Sequence, residues 1–185
     1  MKANTITRVT NKTKAWAILI GIVTCVALPQ VLHYVGVISG MGPALGATFL
    51  PMHLGAFLTG LVAGPLAGIV VGAASPFISY AFSGMPTLML LPFMMVELAG
   101  YGLFSGLLRD KKMPVFGKVV VAQVGGRVLR AVCVVVAIYF VNVKGIGLAS
   151  IYTTITEGLM GILLQWAFIP LIMYRVNDLR LKRGF

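Results

Sequence analysis

The sequence predicts an all-α integral membrane protein, a single domain of six transmembrane helices with both ends in the cytoplasm. Three observations carry that prediction. The stretch from Leu50 to Leu108 holds one full charge, Glu97, and one histidine, His53. Apolar runs of that length are membrane spans. The chain as a whole is 59% hydrophobic and 10% charged, with mean hydropathy +0.99, where soluble domains carry roughly 25% charge. The basic residues, finally, cluster at the ends of the apolar runs and on one side of them.

Met1 to Lys14 reads as a polar cytoplasmic leader with Lys2, Arg8, Lys12 and Lys14. The first helix is expected from Ala15 to Leu32. It is long enough to span and no small-residue cleavage site follows it, so it reads as a retained span. Ala17, Gly21 and Cys25 are spaced by four, a small-residue strip where a second helix can approach closely, either within the chain or from a partner. Residues 33–49, with the sequence YVGVISGMGPALGATF after His33, carry no full charge. They are too apolar for a solvated linker and read as an outer loop folding back as a lid.

The second helix is expected from Leu50 to Ala63 and the third from Pro65 to Phe82, with a kink at Ser75-Pro76. Gly64-Pro65 and Gly84-Met85-Pro86 punctuate them. The fourth runs from Leu88 to Leu108. Residues 109–116 form a charged cytoplasmic loop, the fifth helix runs from Phe116 to Asn142, and the sixth from Ala149 to Tyr174. A basic cytoplasmic tail, 175–185, closes the chain. Orientation follows from the charges. Six spans put the leader, Arg109, Lys111, Lys112 and Lys118, and the tail residues Arg175, Arg180, Lys182 and Arg183 on one side, against Lys144 on the other. Cytoplasmic loops are enriched in Lys and Arg.

Inside the spans remain Glu97, Arg127, Arg130 and Glu157, whose charges sum to zero, as pairing in a low-dielectric interior requires. At 1.5 Å per residue, Glu97, Arg130 and Glu157 lie about 14, 18 and 12 Å below the outer ends of their helices. Arg127 sits a turn below Arg130, Tyr101 a turn below Glu97, Gln123 a turn below Arg127, and His53 near the outer end of the second helix. Two readings stay open. The charges are structural bridges locking helices four to six, or they form an outward-opening polar pocket that captures a small solute through His53, Glu97, Tyr101, Arg127, Arg130 and Glu157. Phe93, Tyr101 and Trp166 suit a flat heteroaromatic solute.

The net charge of +11 does not indicate nucleic-acid binding, because the basic residues border apolar spans rather than covering a soluble face. Cys25 and Cys133 lie in apolar runs and form neither a disulfide framework nor a metal motif. No catalytic motif of the H-E-x-x-H, G-x-S-x-G or Walker type is present, and no paired repeat marks a self-contained transporter. No enzyme activity and no cofactor is expected.

The run from LPMHLGAFLTG to VELAGYGLFSGLL, together with EGLMGILLQWAFIPLIM near the end, resembles the substrate-binding (S) components of energy-coupling factor (ECF) transporters, over about Ala15 to Tyr174. The resemblance implies six helices with cytoplasmic ends in a bacterial plasma membrane. It implies capture of a vitamin or vitamin precursor from outside, in a pocket between the outer parts of helices four to six under the first loop. The partners it implies are a transmembrane coupling subunit and two cytoplasmic ATPases, with Ala17, Gly21 and Cys25 meeting the coupling subunit. The P-M-H, S-G-M-P and fourth-helix Glu pattern is similar to members taking pyridoxine-like or hydroxymethylpyrimidine-like solutes. A self-sufficient small transporter and a non-transporting membrane scaffold are the alternatives.

Overall fold

A computed structural model describes residues 10–42 and 44–183, the last four of these by backbone alone. Lys2 and Arg8 of the leader, and the side chains of Arg180, Lys182 and Arg183 in the tail, therefore lie outside the described residues. Among the described residues there are eight helices and no strand: α1 (Asn11–Ile38), α2 (Ala44–Phe49), α3 (Pro51–Ala63), α4 (Pro65–Ser83), α5 (Leu91–Leu107), α6 (Val115–Tyr139), α7 (Ala149–Glu157) and α8 (Leu159–Arg183). Five segments are long and apolar enough to cross a membrane: α1, α2 with α3, α4, α6 and most of α8. The sixth, α5, is apolar but has 17 residues, about 25 Å of helix. This is a multi-pass membrane architecture.

α1 starts before Ala15 because Thr10 caps it, its hydroxyl accepting from the Thr13 N–H at 3.2 Å and satisfying a backbone donor left open by the first turn. It also ends later than expected. The lid loop predicted over 33–49 is corrected here. α1 continues to Ile38, α2 takes up 44–49, and a short turn separates them. An apolar backbone that leaves water must hydrogen-bond within itself, and nothing breaks the helix between Leu32 and Ile38. The turn is closed by the Gly42 N–H donating to the Gly36 carbonyl at 2.9 Å.

Leu50 joins α2 to α3 in the left-handed conformation, φ 47°, ψ 47°, which costs a non-glycine residue about 1–2 kcal/mol. Pro51 follows as the first residue of α3, where its missing N–H costs nothing. The tightest seam of the bundle is α4 on α5. A Cβ on Gly102 would run into the backbone of Gly68, and one on Gly68 into the Gly102 carbonyl. Only glycine at both positions lets the two backbones meet, the usual device of membrane helix packing. The charged turn between α5 and α6 is tied by Lys118, whose buried ammonium donates to the Arg109 carbonyl at 2.6 Å.

The single sixth helix predicted over 149–174 is also corrected. It breaks at Gly158 into α7, of nine residues, and α8. α7 is too short to span. Its Ser-Thr-rich sequence has hydroxyls bonded back to its own carbonyls, such as Thr154 to Ser150 at 2.8 Å, which weakens a helix. The α2–α3 joint packs against the break, Leu50 facing Gly158 and Phe49 facing Gly161. α8 then runs on through the tail to Arg183.

The small-residue strip is spent within the chain. Gly21 and Cys25 are buried, a Cβ on Gly21 would meet Thr59 and Val71, and the Cys25 thiol donates to the Met52 carbonyl at 3.0 Å. The Ala17 carbonyl accepts from Thr59 at 3.4 Å. The expectation that Ala17, Gly21 and Cys25 offer a free docking face is therefore corrected: they seat α1 on α3 and α4, the intramolecular option for such a strip.

Candidate functional site

The core between α3, α5, α6 and α8 is apolar, with Phe57, Leu61, Val119, Ala122, Ile169 and Met173 around Tyr101. Into this setting α5 brings Glu97 and Tyr101, one turn apart, and α6 brings Arg127 and Arg130. Glu97 is fully buried. Its Oε1 accepts from the Tyr101 hydroxyl at 2.5 Å and its Oε2 from Arg130 Nη1 at 2.7 Å. The Tyr101 oxygen in turn accepts from Arg127 Nε at 3.1 Å. The phenol thus stands between carboxylate and second guanidinium, donating to one and accepting from the other. Phe57 stacks on the Tyr101 ring at 4.8 Å between centroids, and His53 lies tilted against it at 5.3 Å.

Breaking a buried ion pair of this kind strands the remaining charge and costs about 3–5 kcal/mol. The network therefore holds α5 to α6. It does not exhaust its donors. Arg130 is 7% exposed and His53 3% exposed, yet Arg130 Nε and both imidazole nitrogens of His53 are buried without a protein hydrogen-bond partner. Such atoms are rare in folded proteins and call for an explanation.

The explanation lies beside them. A cavity of about 670 Å³ opens at the end of the bundle opposite the charged α5–α6 turn, and Arg130 and His53 are part of its wall. The rest of the wall comes from the end of α1 (Pro29, His33), α2 and the joint after it (Ala44 to Met52), the turn 85–87, the start of α5 (Leu90, Met94) and α7 (Thr154, Glu157). The wall is predominantly apolar with few convergent polar groups, the ordinary make-up of a small-molecule site.

The structure thus sorts the sequence-derived site residues into two groups. His53, Arg130 and Glu157 line the cavity. Glu97, Tyr101 and Arg127 stand behind it and hold Arg130. Glu157 is corrected in one respect: it is not buried within a span but exposed on the last residue of α7, because the helix breaks one residue later. Phe93 belongs to the apolar core with Val134 and Ala137. Trp166 donates to Gln123 Oε1 at 2.6 Å, Gln123 donates to Gln165 at 2.8 Å, and Gln165 reaches the Leu50 carbonyl at 3.4 Å. That chain of amides anchors the α2–α3 joint to α6 and α8. Sequence reasoning placed residues 33–49 over the pocket, as a loop rather than as the end of α1 and α2, and named Glu157 of α7; it missed the 85–87 turn. The signal for that turn was the uncharged Gly84-Met85-Pro86 punctuation between two apolar runs.

No protein-family model matches the chain, and no curated protein and no solved structure matches it.

Proposed function

We propose that this chain is the solute-capture subunit of an ECF-type importer. In this reading it is a six-span protein of the bacterial plasma membrane with both termini cytoplasmic. It takes a small vitamin-like or precursor solute from outside and passes it through a transmembrane coupling subunit driven by two separate ATPases. It catalyses no reaction itself. The observation that carries the reading is the cavity lined by His53 and Arg130, residues whose buried side-chain nitrogens lack a protein partner. A purely structural charge cluster would leave no such donors beside an open volume of that size.

The positions of the charges support the orientation. The cavity end of the bundle bears Lys144, whereas Lys12, Lys14, Arg109, Lys111, Lys112 and Arg175 border the opposite end, and basic residues favour the cytoplasmic side. The amount of space supports a small solute, since sites of about 300–1,000 Å³ enclose molecules of drug size. The resemblance of the Leu50–Leu108 and Glu157–Met173 stretches to ECF S components points the same way, and a pyridoxine-like or hydroxymethylpyrimidine-like solute is the starting candidate.

The test is purification from cells grown in rich medium, followed by heat release and mass spectrometry of small molecules. A solute at near-stoichiometric level supports capture. A protein that releases nothing and binds nothing in a vitamin panel is a scaffold. Uptake by liposomes containing the chain alone identifies a self-sufficient transporter.

A further inference from the structure

We propose that the captured solute is an organic acid, a carboxylate on a compact and largely flat body, held by Arg130 and His53. This deepens the capture reading and rests on it, and it replaces the alcohol-bearing starting candidate with an acid of similar flat shape. The chain has four acidic residues. Asp110 lies in the α5–α6 turn and Asp178 near the far end of α8, both away from the cavity, while Glu157 on α7 is in the cavity wall but exposed to water. Glu97 is the one acid packed with the guanidinium groups of buried Arg130 and half-buried Arg127, and its two oxygens are already taken by Tyr101 and Arg130. The cluster Glu97–Arg127–Arg130 thus carries one positive charge in excess in a setting only partly open to solvent, where an uncompensated ion is costly. An anion in the cavity offsets it.

Hydrogen bonding leads to the same ligand. Arg130 Nε carries a proton and can only donate. It has no acceptor in the protein, and the guanidinium is held in place from the other side by Glu97 at 2.7 Å. A fixed guanidinium with an unpaired N–H beside a cavity suits a carboxylate, because charge-assisted bonds are roughly twice as strong as neutral ones. His53 adds one more N–H, also without a partner. The neighbouring wall, Met52, Leu90 and Met94, is apolar and includes two polarisable thioethers, which suit the face or edge of an aromatic ring. A neutral alcohol or a cation leaves the excess charge where it is.

The experiment titrates the purified full-length chain, in detergent, with pyridine-3-carboxylate, 4-aminobenzoate and phenylacetate and with the three matching amides. Heat-released solutes are read in both ion polarities. The expected result is an acid bound at least about tenfold tighter than its amide, or a carboxylic acid among the released solutes. Arg130→Lys keeps the charge opposite Glu97 and removes the Nε–H, and it should bring the acid-over-amide ratio down to about twofold or less. His53→Gln serves as the second variant if Arg130→Lys does not fold, with a partial loss expected. A neutral or cationic solute released at near-stoichiometric level, or amides binding as well as acids, overturns the acid assignment and leaves capture standing. No released solute and no binding by any probe overturns both.

Discussion

Glu97→Gln tests the keystone of the site. The substitution keeps the shape of the side chain and removes its charge, leaving Arg130 at 7% exposure without a counter-ion. The amide oxygen can still accept from Arg130, and its NH2 can donate to the Tyr101 oxygen. That oxygen already accepts from Arg127 at 3.1 Å, so the phenol proton loses its acceptor. Two hydrogen bonds survive in weaker form and one donor is stranded. The expected cost is therefore near the lower end of the range for a broken buried pair, about 3 kcal/mol. For a chain of this size each kcal/mol moves the midpoint by roughly 2–4 °C, so ligand-free melting should fall by about 6–12 °C. The assay is thermal unfolding of the purified protein in detergent, followed by intrinsic fluorescence. The double variant Glu97→Gln/Arg130→Gln should recover part of the loss, with a coupling of about 2 kcal/mol, because both charges leave together. A single-variant shift below about 2 °C, or strict additivity in the double variant, would refute the claim that this pair locks α5 to α6.

Three further outcomes follow from other parts of the structure. Gly102→Ala drives a methyl group into the Gly68 backbone and should lower stability by about 3 kcal/mol or more, read as lost folded yield in size-exclusion chromatography; normal yield and melting would show that the α4–α5 seam is looser than described. His53→Phe removes an imidazole that makes no hydrogen bond in the protein, so melting without ligand should change by less than about 1 kcal/mol, while solute binding measured by calorimetry falls at least about tenfold; a large stability loss with intact binding contradicts this. Lys144→Cys and Lys112→Cys, both at exposed positions, should react with a membrane-impermeant maleimide from opposite faces in intact cells and inverted vesicles, and labelling of both from one face would remove the six-span topology.

Much of the fold was legible because lipid imposes few and strong rules. Long uncharged runs, glycine-proline punctuation and one-sided clustering of Lys and Arg located the spans within a few residues for α3, α4 and α6. Spacing by one helical turn was enough to place Tyr101 beside Glu97 and Arg127 with Arg130; the meeting of Glu97 with Arg130 was legible from their opposite signs, but the zero charge sum was not kept, because Glu157 is exposed on α7. These are properties of single helices and of composition, and one chain in hand states them fully.

What the sequence left open is everything set by one helix against another. Ala17, Gly21 and Cys25 read equally well as an outer docking face or an inner seam, since spacing shows that a close approach occurs but not which helix makes it. The packing of α3 and α4 on those residues decided for the seam. Glu157 read as a fourth buried charge because the apolar run continues past it. The contact of Leu50 with Gly158 accompanies the break that leaves Glu157 exposed at the cavity wall. The free donors of Arg130 and His53 were invisible for the same reason. Whether a buried nitrogen has a partner depends on distances between α3, α5 and α6, and those exist only once the helices have packed.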